Sequence, residues 1–578
     1  MPLTPGEFAV LKNNLEAITD DMSLTIMRTS RTPIIRDGMD FSTAICTPEG
    51  EMVAQGVCIA LHLGSIPVAM EALLEMYRGN IHPGDVFILN DPYSGGMHLP
   101  DIFLFKPVFI GRRLTAFVVT VADFGDIGGM VPGGRPVNAT DLYQEGITIP
   151  PLKLFDGGRR VDAIPRILER NVRLPELFRN DLESCLAAVR TAEAALVQLV
   201  GRFGLSVVAG FLQQLLEYSE SITRATIGAW PDGTVEFEDH LDDSVAGPAP
   251  VLIKVRVTVD GSNLHVDFTG TSEQVRASIN STRSFTASAV YAAVRTMLPP
   301  ETPSNGGVFR PIHVDAPEGT IVNPRRPGPV ASRGVTGFRV VDAMFGALAK
   351  IVPDRVQAAG EGGSSSMRIG GYMEDGRAFV LADSVHGTRG GGPLNDGMDG
   401  FANFATNSAN RPVERIEAEL PVRVWRYGLR PDSEGPGKYR GGLGLEREWE
   451  LLTSEAVLTI RADRVRFAPW GLQGGGNGSR SRNLMLRATG EAMELPGKVH
   501  EVMRSGDRFH HEQASGGGFG DPLDRDPVRV LADWRDERVS AERAFDVYGV
   551  LIDEEMGQVD LEATRARRSA LSQERGPA

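Results

Sequence analysis

The sequence predicts an α+β, multidomain fold: a mixed N-terminal domain, a central sheet-containing domain, and a β-rich C-terminal region with terminal helices. Three observations carry this reading. The chain has 578 residues, well beyond the roughly 250 to 300 at which a single hydrophobic core stops growing. Apolar residues recur at helical spacing in some stretches, while short apolar runs broken by Gly and Pro fill others. Two alternating runs flank Asp260-Gly261, a strong short-range signal for a hairpin. The expected divisions are an N-terminal α+β domain over 1–230, a central α+β domain over 231–412, a β-rich region over 413–525, and a helical C-terminal segment with a tail over 526–578.

Each element has its own warrant. Leu11, Leu15, Ile18, Met22 and Ile26 are three or four apart, which predicts an amphipathic helix over 8–29. The runs VFIL at 86–89 and LTAFVVTVA at 114–122 predict strands, with a helix near 68–77 between earlier turns. Residues 181–227 carry a second helical stripe through Leu182, Cys185, Leu186, Val189, Leu196, Leu199 and Val200, and Gly201 and Gly204 separate two helices there. After Val413 the segments AELPVRVWRYGL and AVLTIRADRV predict strands. Helix pattern returns at 527–555, and the Arg- and Ser-rich tail beyond about 560 is expected to be a mobile end or a docking segment.

Composition narrows the function classes. Sixty Lys and Arg against seventy-five Asp and Glu give a net charge of -15, which disfavours phosphate backbones and anionic lipid surfaces; neither nucleic acid nor a membrane is an expected partner. Only Cys46, Cys58 and Cys185 occur. So few thiols in so long a chain point to a reducing compartment, and a cytoplasmic location is expected. The start, MPLTPGEFAVLKNN, lacks the pattern of a signal peptide.

The densest run of metal-competent side chains is NDPYSGGMHLPD at 90–101, followed after a strand by ADFGDIGG at 122–129. Pro100 disfavours an α conformation at Leu99, so His98 and Asp101 project from a loop. An imidazole and a carboxylate held there are ordinary ligands for Zn, Mn or Fe. Asp123 and Asp126 stand where a strand ends and can return toward that loop. The same residues also suit tight turns, where Asp keeps company with Gly and Pro. Upstream, Arg36, Asp37 and Asp40 either add a carboxylate or cap a turn. The glycine clusters at 390–392, 474–479 and 516–521 match neither a P-loop nor a dinucleotide-binding pattern, so tight turns are expected there and no nucleotide site.

The stretch RDGMDFSTAICTPEGEMVAQGVCIALHLGSIP, then HPGDVFILNDPYSGGMHLPDIFLFKPVF, resembles the hydantoinase B/oxoprolinase family. Ordered matches continue through DIGGMVPGG at 126–134, QEGITIPPLKL at 144–154, DFTGTSEQ at 267–274, NGGVFRPIHVDAPEGTIVN at 305–323, TNSANRPVERIE at 406–417, DSEGPGKYRGGLG at 432–444 and GGGFGDPLDRDP at 516–527. The resemblance implies the metal-dependent hydrolytic subunit of an ATP-dependent cyclic-amide hydrolase. Its implied partner is a hydantoinase A-like ATPase, which carries ATP and Mg and phosphorylates the substrate, so a hetero-oligomer is expected. It also implies one divalent ion held by Asp40, His98, Asp101 and the residue at Asp123, with Asp126 orienting water or acting as general base.

One departure stands out. The family pattern reads like A-H-H-A-D-I-G-G where this chain has ADFGDIGG, so Asp123 replaces a histidine and Phe124 its neighbour. Exchanging nitrogen for oxygen hardens the site and favours Mn over Zn. The resemblance leaves two rivals: a subunit of an acetone- or acetophenone-type carboxylase, and a scaffold without metal.

Overall fold

A computed structural model describes residues 3–56, 59–363, 365–406 and 408–575. Cys58 lies outside the described residues, while Cys46 and Cys185 are buried and free. Mixed helices and several sheets give an α+β chain.

The first sheet is built from β1 (Phe41–Cys46), β2 (Met52–Gln55), β3 (Val86–Leu89), β4 (Asp101–Ile110), β5 (Arg113–Asp123), β6 (Leu152–Asp156) and β7 (Arg159–Arg160). Its order is β2-β1-β5-β4-β3-β6-β7, and every neighbouring pair is antiparallel. Helices cover both faces. Ile102, Leu104 and Val118 point into one core with helices Pro5–Thr29 and Pro175–Phe203. Phe103, Phe105, Phe117 and Val119 point into another with helix Ser65–Met76. Burial on both sides explains why β4 and β5 read as continuous apolar runs rather than as alternation, since each successive side chain enters a different core.

Helix Pro5–Thr29 buries the five apolar residues of its sequence stripe. It opens with a capping box at Thr4 and Glu7, which satisfies otherwise orphaned amide groups. In the following helical pair Gly201 stays inside the first helix and the break falls at Gly204, whose φ is +87°. Helix Pro175–Phe203 is long and apolar enough to span a membrane by length and composition, yet its stripe packs into the first core.

The second sheet runs β11-β10-β9-β8, from β8 (Gly233–Leu241), β9 (Val251–Asp260), β10 (Asn263–Asp267) and β11 (Ile312–Asp315). Asp260 pairs with Asn263, so the hairpin loop is Gly261-Ser262, one residue later than the sequence signal. Gly261 takes a positive φ of 56°, a conformation that costs glycine nothing. Helices Arg283–Arg295 and Gly334–Leu348 close this core.

Two further sheets meet around Met367, Ile369, Leu458, Trp449 and Phe509. One joins β12 (Ser365–Tyr372) and β13 (Ala378–Val385) to the later strands Glu455–Arg461 and Lys498–Arg504, so its pairing crosses residue 412. The expected divisions do not mark that crossing, because a strand's partner is not encoded in its own pattern. Beyond 560, Leu561–Arg575 is a helix, with Leu571 buried and Arg568 donating to the Tyr548 and Arg525 carbonyls.

The glycine clusters lock against one another. Gly391 donates to Gly517, Gly516 to Gly442, and Gly518 to Gly476. At Gly441 a Cβ would collide with the Gly516 backbone. These amides serve chain-to-chain packing, so the clusters are tight backbone junctions.

Candidate metal centre

Sheet register explains how distant carboxylates converge. Asp101 opens β4, Asp123 closes β5, and the two are direct cross-strand partners. Asp40 immediately precedes β1, and the Asp123 amide donates to the Asp40 carbonyl at 3.0 Å. Neighbouring strands are about 4.8 Å apart, so three strand ends deliver three carboxyl-bearing residues to one edge of the sheet. His98 sits in the loop before β4, where the Asp101 amide donates to its carbonyl. Asn90 clamps that loop, donating to Leu99 and accepting from the Ile149 amide. Gly95 allows the loop to press against helix Ser65–Met76, because a Cβ there would strike the Ala69 backbone.

His98, Asp101 and Asp123 are buried, and one ligand atom from each lies within 4.8 Å of the others. His98 Nδ1 is 2.8 Å from Asp101 Oδ2, and His98 Nε2 is 3.6 Å from Asp123 Oδ2. A single ion takes only one of the two ring nitrogens, and donors each about 2.1 Å from it stand roughly 3 to 4 Å apart, a spacing near the one these three side chains already hold. Neither His98 ring nitrogen makes a hydrogen bond, nor do Asp101 Oδ1 and Asp123 Oδ1. Each unsatisfied buried group costs about 1–3 kcal/mol, and a cation is the partner that relieves nitrogen lone pairs and carboxylates together. The donor set therefore fits a divalent ion. Burial, with Arg333 and Arg135 nearby, drives the His98 pKa well below its ordinary value, which keeps the ring neutral. Burial pushes the Asp101 carboxyl up to about 6, against the pull of Arg333.

Asp40 is not part of that close triad but lines the adjoining cavity beside Asp123. Asp126 is not brought to the triad's unsatisfied atoms. Its Oδ1 accepts from the Gly133 amide and Arg173 Nη1, and its Oδ2 accepts from the Arg173 amide. A carboxylate so occupied holds the 126–134 loop, and its expected role of orienting water or acting as general base would have to be filled from that position.

Two features escaped sequence reasoning. The first is His62, buried in a short helical turn at Ala60–Leu63. Ser42 Oγ gives its hydrogen to the Ile59 carbonyl at 3.1 Å and contacts His62 Nδ1 at 2.7 Å. A hydroxyl has one hydrogen, so Nδ1 must donate and Nε2 keeps its lone pair. That Nε2 has no hydrogen-bond partner and stands 4.0 Å from Asp101 Oδ1. Burial, together with Arg333, lowers the His62 pKa to about 3. Its one sequence signal is a lone imidazole inside the apolar run IALHL.

The second feature is a shell of buried arginines. Arg333 donates to Asp101 Oδ2 at 2.8 Å, and Arg135 pairs with Asp123. Arg368 holds the Gly133 and Gly125 carbonyls. Arg461 lines the same cavity as Arg135 and Arg333.

Fold and site together define a class: an α+β protein with a buried histidine–carboxylate centre at the end of a sheet. Comparison with known proteins makes the class specific. The model of the hydantoinase B/oxoprolinase family matches residues 4–522. The B subunit of a putative D-/L-hydantoinase from Pseudomonas sp. strain NS671 is 34% identical over 584 residues, covering 98% of each chain. The crystal structure of an ATP-dependent caprolactamase from Pseudomonas jessenii superposes with a TM-score of 0.92 at 30% identity, covering 98% of this chain and 100% of that one. A nucleotide-free acetone carboxylase shares the fold, with a TM-score of 0.91 at 21% identity over 98% of this chain and 83% of that one. The chain belongs to the hydantoinase B/oxoprolinase family, and it is an enzyme of that family.

Proposed function

We propose that this chain is the metal-dependent hydrolytic subunit of an ATP-dependent cyclic-amide hydrolase. The observation that carries the reading is the buried donor set of His98, Asp101 and Asp123, one ligand atom of each within 4.8 Å of the others and each residue keeping an unbonded nitrogen or oxygen. Asp40 completes the set at the cavity side, and Mn is favoured over Zn or Fe because carboxylates outnumber imidazoles among these four residues. A divalent ion held there would supply Lewis acidity and make water acidic enough to attack near neutral pH.

The chain's own residues do the positioning. Arg333 fixes the Asp101 carboxylate, Arg135 offsets the charge of Asp123, and the packed cores behind β4 and β5 keep bulk water from the far side. Amide resonance makes ring opening slow, and phosphorylation of the ring oxygen would remove that resonance before the substrate reaches this site. The phosphorylating partner we assign is a hydantoinase A-like ATPase bearing ATP and Mg, in a cytoplasmic hetero-oligomer. Support comes from the similar hydantoinase, which is named as one component of a multi-subunit enzyme, and from glycine clusters whose amides are engaged with each other.

Reconstitution tests this. The purified chain alone should neither turn over ATP nor open hydantoin, 5-oxoproline or caprolactam rings, and the pair with its ATPase should do both. ATP turnover by the lone chain would contradict the two-component reading. The fold shared with acetone carboxylase gives the rival a definite signature, ATP turnover that requires bicarbonate and a ketone.

A further inference from the structure

Beside the carboxylate triad a cavity opens among Arg135, Arg333 and Arg461, with Asp40, Asp123 and Ser384 also on its wall. Its interior leaves about 30 Å³ for water-sized centres, room for a water or two or for one small oxyanion and no more. Four buried guanidiniums, from Arg135, Arg333, Arg368 and Arg461, crowd this region. Opposite them are the carboxylates of Asp40, Asp101 and Asp123, with Glu361 beside Arg461. A divalent ion added to that balance leaves the region with a surplus of positive charge.

Three further features point the same way. Arg135 and Arg333 are 5% exposed and keep a buried Nε without a hydrogen-bond partner. Arg333 and Gly334 open the helix Gly334–Leu348 and both line the cavity, so the positive end of a 15-residue helix is directed there. Hydroxyls of Ser384, Thr406 and Ser408 add short polar groups to the wall.

We propose that this arginine-lined cavity is an oxyanion site that receives the phosphoryl group of the activated substrate and so sets the reacting carbon beside His98, Asp101 and Asp123. This inference rests on the function proposed above, in which the substrate arrives phosphorylated. A tetrahedral dianion presents oxygens in several directions, which matches guanidiniums and a helix terminus converging from different elements. A carboxylate is planar and singly charged, and one guanidinium fork suffices for it.

The test uses the full-length chain, once stripped of divalent ions and once loaded with Mn, with inorganic phosphate as the probe in calorimetry and thermal unfolding, and the site stands if either state binds. Phosphate should bind saturably at one site per chain and raise the melting temperature, whereas acetate and chloride at equal ionic strength should not. Arg461→Gln should weaken phosphate binding about tenfold or more, the loss typical of a charge-assisted contact; Arg461→Lys replaces it if the glutamine variant does not fold. No saturable phosphate binding to the parent overturns the site, and so does equal binding by folded Arg461→Gln or, where only the lysine variant folds, phosphate binding that does not compete with sulfate at the same site. Acetate binding as tightly as phosphate overturns the phosphoryl assignment. Metal content measured in parallel separates the two readings, since phosphate binding by a chain that never takes up a divalent ion counts against the metal centre alone.

Discussion

At the scale of single residues, His62 makes the sharpest demand on the account. Its tautomer is fixed by Ser42, which leaves an Nε2 lone pair 4.0 Å from Asp101 Oδ1. That is the arrangement in which a neighbouring hydrogen bond orients a metal ligand. Ser42→Ala should therefore lower divalent-ion affinity roughly 10- to 100-fold, with His62→Ala at least as severe and the fold retained by circular dichroism. Unchanged affinity in both would remove His62 from the centre. The sequence made His98, Asp101 and Asp123 legible because they sit in dense polar loops between apolar strands. His62 was hidden because an isolated histidine in an apolar run reads as core. Asp126 shares the polar loop, but its partner Arg173 is 47 residues downstream, and nothing local announces that pairing.

At the scale of elements, strand ends and buried ion pairs do the organising. The triad exists because β4 and β5 pair with Asp101 opposite Asp123. The strands could be read from their apolar runs, but their register could not. A second buried network ties the central sheet to the C-terminal strands: Asp463 accepts from Lys498 at 2.8 Å and from Arg339 at 2.8 Å, and Arg464 meets Asp342 at 2.7 Å. Burial alone would raise the Asp463 carboxyl, yet Lys498 and Arg339 beside it hold it well below the usual carboxylate range. A carboxyl depressed on folding stabilises the protein above its unfolded pKa near 4 and loses that contribution as pH falls through the lower folded value. Lys498→Met should then cost about 3–5 kcal/mol in urea unfolding at pH 7, with the gap from the parent narrowing below about pH 4. A constant gap down to acid would show that Lys498 acts through packing. Such cross-chain pairs, more than 100 residues apart for Asp463 and Arg339, leave no trace in local composition.

At the scale of the whole molecule, the claim is that a chain lacking a phosphate-loop motif supplies a hydrolytic metal centre to a partner that spends ATP. Length, charge and the ordered motifs made the family legible, since they span nearly all of the chain. What they left open is the centre itself, because Asp123 stands where the family pattern has histidine and Arg135 now faces it. Elemental analysis of the purified chain, parent and His98→Ala side by side, addresses this most directly. The account predicts about one divalent transition ion per parent chain, Mn preferred when metals compete, and its loss from a folded His98→Ala variant. Full metal occupancy in that variant, or a parent that takes up no divalent ion under any loading, would contradict it.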